Sequence, residues 1–349
     1  MARATRSCRS AQAGGLCYPA PDNRLPPARR LVNLSGVNSR RGAVIDIGTN
    51  SIKLLVGDVR DGLITPVDER SEQTRLGAGF YDTQVLQPVT IQRTASAVAK
   101  FVAYARDQDA SAIRVLATSA ARDAKNPDEL VTAVRRASGL RVEIISGEQE
   151  AEWVYRGVTS DERFHGKSLL ILDVGGGSTE FILGDHERHT FRQSFPVGSV
   201  RLLEKFRPHD PPSIQDLAGC REWFQKFFDH EIGPTTESPL SKAARENVTL
   251  VGTGGTTTIL ARMEKKMPHF SREDIDSTCL SRQQVLDYMV HLWSLPVAER
   301  KKIPGLPTNR ADVIIMGLAI YESIMNYFGF GALHVSTRGL RFGALLDPR

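Results

Sequence analysis

Two stretches of this 349-residue chain follow one plan: residues 42–59 read GAVIDIGTNSIKLLVGDV and residues 168–185 read SLLILDVGGGSTEFILGD. In each, an apolar run reaches an aspartate (Asp46, Asp173), then one apolar residue, then a glycine turn with small polar side chains. A second apolar run closes on Gly-Asp. Short apolar runs bounded by turn signals are strands, so each copy predicts a β-hairpin whose first strand ends on an acid. The two aspartates are 127 residues apart. A repeat that long is a duplicated domain and does not suggest a solenoid.

The rest of the chain fits α/β domains. Residues 87–107 carry apolar side chains at helical spacing (Val89, Ala95, Val98, Phe101, Val102, Ala105), and IRVLAT, at 113–118, reads as a strand. A helix over 127–138 and the strand RVEIIS follow, leading into a helix from Gly147. A third strand–glycine-turn–helix unit, NVTLVGTGGTTTILARM, begins at Asn247. Helices over 281–293 and 311–328, the strand ALHVS and a short helix, GLRFGALL, complete the chain. Strands alternating with helices indicate an α/β domain. The expected division is a basic appendage over 1–41, one domain over 42–165 joined by the last helix (337–349), and a second over 166–336.

Charge needs locating before it is interpreted. The chain carries +5, but residues 1–41 hold eight arginines against one acid, Asp22, which leaves the body slightly acidic at −2. A body of that charge gives no reason to expect a nucleic-acid polymer as partner. The appendage reads as disordered or as a start site set too far upstream, with a basic, acid-poor targeting segment as the alternative. No apolar run approaches the length of a membrane span. Cysteines at 8, 17, 220 and 279 have no metal or redox spacing, so free thiols and a cytoplasmic location are expected.

Glycine turns after strands let backbone N–H groups approach an anion, because no Cβ intervenes. This chain has three: Gly48-Thr49-Asn50-Ser51, Gly175-Gly176-Gly177-Ser178 and Gly252-Thr253-Gly254-Gly255-Thr256. None is a P-loop, and GTGGTTT lacks the last glycine of a dinucleotide fingerprint. Acids beside phosphate loops imply a divalent cation between them and a polyanion, so Asp46 and Asp173 are candidate Mg²⁺ ligands. Glu180, seven residues after Asp173, returns across the turn toward the same rim. Arg122, in LATSAARDAKN, ends a strand-to-helix turn, where it either clamps a phosphate or pairs with Asp123.

VIDIGTNSIKLLV, VLATSAARDAKN, IISGEQEA, LDVGGGSTE, VGTGGTTT and PGLPTNRADVIIMG occur in this order. Together they resemble the signatures of the exopolyphosphatase/guanosine-pentaphosphate phosphohydrolase (Ppx/GppA) family of the actin–hexokinase–Hsp70 superfamily. The resemblance spans about residues 42–349. It implies two actin-like, ribonuclease H-like α/β domains with a cleft between them, and a Mg²⁺-dependent phosphohydrolase of inorganic polyphosphate or guanosine penta- or tetraphosphate, commonly homodimeric. It makes Glu150 the general base, in ISGEQEA, where the family usually has a Glu-Glu pair and this chain has Gln149 first. It gives Asp173 and Glu180 to metal and attacking water. Thr49, Asn50, Ser51, Gly175, Gly176, Gly177 and Ser178 would cradle phosphoryl oxygens, with Arg122 adding charge. Gly254, Gly255 and Thr256 would face a nucleotide or further phosphates. Phe342 stands where the family often has Glu. The chain lacks the helical extension of long family members, which favours shorter polyphosphate chains. Two other classes compete: an actin-fold kinase of a small acceptor, and a catalytically silent sensor of alarmone or polyphosphate.

Overall fold

The computed structural model describes residues 39–236, 240 and 247–347. The appendage expected over 1–41 therefore lies, up to residue 38, outside the described residues. Ser39–Arg41 belong to the fold: β1 runs Ser39–Ile47, three residues longer than expected. The extension is held because the Arg41 guanidinium grips Asp58, its cross-strand partner on β2, at 2.7 Å.

The chain builds two sheets. The first has the order β3-β2-β1-β4-β5, with β2 Ile52–Arg60, β3 Leu63–Glu72, β4 Ala112–Ala117 and β5 Val142–Ile144. The second has the order β10-β11-β9-β6-β7-β8, with β6 Ser168–Val174, β7 Thr179–Gly184, β8 His189–Phe195, β9 Val248–Thr253, β10 Cys279–Ser281 and β11 Ala332–Val335. In each sheet three antiparallel strands open the unit and a fourth pairs parallel to the first: β4 on β1, and β9 on β6. The duplication seen in the hairpins thus extends through four strands of topology. Strand β10 adds an antiparallel edge to the second sheet, one that the sequence reading did not include.

Each sheet carries its own core on one face. The helix Pro88–Asp107 packs on the first, and the apolar helix Ile314–Phe328 on the second. A third core lies between the sheets. It joins Val44 and Leu116 to Ile171 and Val251 through the helices Gly147–Thr159 and Leu340–Leu346. These helices meet backbone to backbone. A Cβ on Gly343 would lie 1.8 Å from the Trp153 carbonyl oxygen, and one on Gly157 would lie 2.2 Å from that of Gly339. Gly343→Ala must push the helices apart. It is expected to lower stability by about 1–3 kcal/mol, read as a lower urea midpoint; an unchanged midpoint would show that the crossing has slack.

Phe342, where an acid was a family expectation, is fully buried in this core, with the Arg272 guanidinium 4.8 Å from its ring centroid. Among the described residues no helix is long and apolar enough to cross a membrane.

Candidate active site

The two hairpin turns are built alike. Gly48 N–H donates to the Ser51 carbonyl at 3.1 Å, and Gly175 N–H to the Ser178 carbonyl at 3.0 Å. Asp173 lies directly opposite Glu180 across the β6–β7 ladder, and Asp46 occupies the same position opposite Lys53 on β1–β2. Cross-strand partners share one sheet face. The duplication therefore sets an acid pair in one half and an acid–lysine pair in the other.

The turns face each other across a small pocket of about 80 Å³. Thr49, Asn50 and Ser51 line it from one side, and Gly175, Gly176, Gly177 and Ser178 from the other, with Asp46 and Asp173 also lining it. The approach is close at Gly177, where a Cβ would lie 2.3 Å from Ser119 Oγ and 2.4 Å from Tyr81 Oη. Gly255 and Thr256 reach the pocket, whereas Gly254 lies behind it, along an adjoining chamber. Gly254 has φ +88°, and a Cβ there would meet Asp173 Oδ1 at 2.3 Å, so both backbone and space demand glycine.

Glu150 sits in the first turn of the Gly147–Thr159 helix, whose N-cap Ser146 Oγ accepts from Gln149 N–H at 3.1 Å. Its carboxylate lines the pocket and accepts from Arg122 Nη1 at 2.9 Å. Arg122 is not itself a lining residue. It ends the helical turn Ser119–Arg122 and also donates to the Ile145 carbonyl at 3.2 Å. It therefore holds Glu150 in place and has only a 3.8 Å contact with Asp123. Glu180 is 1% exposed, and its Oε1 accepts from Ser178 Oγ at 2.9 Å and Ser194 Oγ at 2.8 Å.

The carboxylates share one electrostatic predicament. Burial pushes Glu150 up to about 7 against the pull of Arg122, and Asp173 up to about 6 against that of Lys53. Glu180 is raised by burial and by Glu150 and Asp173. Asp46 is raised by burial, with Lys53 and Arg341 opposing. Burial and Arg341 lower the Lys53 ammonium, while Asp46 and Asp173 support it. Buried carboxylates crowded in this way gain from a cation.

Two buried atoms in the pocket have no partner among the described residues: the acceptor Asp46 Oδ1 and the donor Asn50 Nδ2. One suits a cation, the other a phosphoryl oxygen. No three His, Cys, Asp or Glu side chains among the described residues converge as a ready metal cage. Mg²⁺ rarely uses such a cage; it is held by one or two carboxylates, with water and substrate phosphate completing its octahedron. The donor set fits such an ion.

Two residues in the site were not singled out from sequence. Lys53 becomes visible once the two hairpins are overlaid, because it is the counterpart of Glu180. Arg310, within PTNRAD, crosses from the other half to donate from Nη2 to Ser51 Oγ at 3.0 Å, and burial lowers it to about 10. Beside it, Gln73 Nε2 donates to the Asn309 carbonyl at 2.6 Å, and Arg75 pairs with Asp312 at 2.7 Å. On the opposite rim, Arg201 donates to Asp123 at 2.6 Å and to the Gly177 carbonyl at 2.8 Å. The two halves are bridged on both sides of the pocket.

Matched hairpin turns on two sheets of like topology, facing one pocket, define the actin-like class of phosphate-binding folds. Residues 55–348 match the Ppx/GppA phosphatase family, and the chain belongs to that family. It is 31% identical over 293 residues to Exopolyphosphatase 2 of Mycobacterium tuberculosis, covering 81% of this chain and 89% of that protein. The crystal structure of the Aquifex aeolicus family member superposes with a TM-score of 0.71 at 31% identity, covering 88% of this chain and 97% of that one. An exopolyphosphatase from Cytophaga hutchinsonii superposes with a TM-score of 0.78 at 27% identity, over 88% and 96% of the two chains.

Proposed function

We propose that this chain is an exopolyphosphatase: it hydrolyses the terminal phosphoanhydride of inorganic polyphosphate, releasing one orthophosphate per turnover. The observation that carries the reading is Glu150, a buried carboxylate raised to about 7 and fixed by Arg122 on the wall of a pocket framed by paired glycine turns. A base of that strength is matched to neutral pH.

Glu150 takes the proton of the attacking water, and Arg122 acts as a positioning residue for it. Asn50 Nδ2, the Ser51 hydroxyl and backbone N–H groups of both turns, Ser178 included, donate to the equatorial phosphoryl oxygens. Phosphoryl transfer depends mainly on placement and charge, so these donors matter as much as the base. Mg²⁺ is the metal we assign; Asp46, Asp173 and Glu180 would hold it, directly or through water, and it would neutralise charge on the phosphoryl group. We take residues 42–165, with the last helix, and residues 166–336 as the two lobes around the site.

The test is orthophosphate release from short polyphosphate, long polyphosphate and pppGpp, each with Mg²⁺ and with a chelator. Release from polyphosphate that stops on chelation is expected. Release from pppGpp alone would assign the guanosine activity in its place, and no release from any substrate would refute the enzyme reading.

A further inference from the structure

Behind the phosphate pocket lies a second, larger cavity of about 400 Å³. The two share a wall: Asp46, Ser51, Lys53, Asp173, Gly255 and Arg310 line both. Whatever group is joined to a phosphoryl held between the turns has this chamber open beside it.

The chamber's cations differ in one respect. Arg341 pairs with Glu69 at 3.0 Å, Arg70 with Asp68 at 3.3 Å, Lys53 faces Asp46 and Asp173, and Arg310 has Asp312 as its supporting acid. Arg262, two turns into the Gly254–Glu264 helix, has no such match. Among the described residues no carboxylate lies within ion-pair distance of it, and its buried Nε has no hydrogen-bond partner. Its one hydrogen bond there runs from Nη2 to the Pro268 carbonyl at 3.3 Å. Burial weakens its hold on the proton, with no acid opposing. A partly buried guanidinium without a counter-ion is costly, and its planar fork suits phosphate oxygens.

The family resemblance already leads further phosphates to this side of the site through Gly254 and Gly255, and we propose that Arg262 is the charge partner of that part of the chain. Lys53 and Arg310 stand at the shared wall, where the anhydride bridge would pass, so the leaving chain meets cations from the moment of cleavage. The assignment deepens the exopolyphosphatase reading and rests on it. The ligand chemistry is a linear run of phosphates, from inorganic polyphosphate or from a nucleoside triphosphate tail.

The experiment uses the full chain carrying Glu150→Gln, so that the ligand survives, and titrates linear tripolyphosphate by calorimetry at fixed Mg²⁺ and salt. Adding Arg262→Gln is expected to weaken binding by roughly tenfold or more, the loss of a charge-assisted contact. Arg262→Lys, which restores the charge without the fork, should fall between. Orthophosphate, which needs only the first pocket, should bind equally to all three. Ser71→Glu, at an exposed position of β3 lining the chamber, adds an anion without touching Arg262 and should also weaken tripolyphosphate. Unchanged tripolyphosphate affinity in both Arg262→Gln and Ser71→Glu would overturn the proposal, as would a parallel loss of orthophosphate. GTP separates the two sources. Equal weakening of GTP and tripolyphosphate by Arg262→Gln supports a site for the phosphate chain itself, and weakening of GTP alone overturns it. Arg262-dependent binding by a wild-type chain that releases no phosphate would keep this subsite and remove the hydrolase reading.

Discussion

Glu150→Gln is expected to lower the rate of phosphate release by about 10²–10⁴-fold while the protein stays folded. The substitution keeps the size and an oxygen that can accept from Arg122, so the 2.9 Å contact has a replacement. It removes a charge that burial resists, and the amide oxygen and Asp123 remain beside Arg122, so stability should stay near that of the wild type. It also removes the proton acceptor beside the pocket. In the wild type the rate should climb through about pH 7 as Glu150 loses its proton, and the variant should lack that limb. Rates on both sides of neutrality, with a thermal melt of each protein, check this. A variant as fast as the wild type would exclude Glu150 as the base. A slow variant with a collapsed melting temperature would make its role structural.

The second large effect is on stability. Without a divalent cation, the folded protein is expected to lose stability as pH rises from about 4 to about 7, and Mg²⁺ is expected to restore it. Glu150 at about 7 and Asp173 at about 6 lie above their ordinary values of 4.5 and 3.8, and Asp46 and Glu180 are raised too. Between the unfolded and folded values the native state binds more protons, so its advantage is full below the unfolded values and is lost as pH climbs through the folded ones. For Glu150 and Asp173 the shifts are worth about 3 kcal/mol each, partly shared because the carboxyls interact. A cation that binds only the folded state adds about 2.7 kcal/mol at one hundred times its Kd. Urea midpoints across this window, with chelator and with Mg²⁺, give the answer. Stability that rises with pH in chelator, or that ignores Mg²⁺, would contradict the carboxylate cluster as a cation site.

Much of the frame was legible because it is local. A strand ending on an acid, a glycine turn and a returning strand are specified within about eighteen residues, and both copies form with the same turn closure. The pairing of Asp173 with Glu180 follows from spacing once the hairpin is granted. The rest depends on contacts between distant parts of the chain. Arg310 reaches Ser51 across 259 residues, and Arg201 reaches Asp123 across 78. No local pattern marks either arginine as facing a cleft. Arg122 was ambiguous for the same reason, since its partner Glu150 lies on another element and only the fold chooses between it and the neighbouring Asp123. Strand β10, three residues long, is held by pairing with β11 and has little strand signal of its own. The early start of β1 depends on Arg41 meeting Asp58, a pairing that the basic composition of the preceding residues obscures.

Hydrolysis of long polyphosphate in ¹⁸O-labelled water tests the central claim most directly. Water activated by Glu150 and directed at the terminal phosphorus predicts one solvent ¹⁸O in each orthophosphate released, with Glu150→Gln releasing almost none. Label retained at the ends of shortened chains, with unlabelled orthophosphate, would place the attack on a different phosphorus and contradict the account.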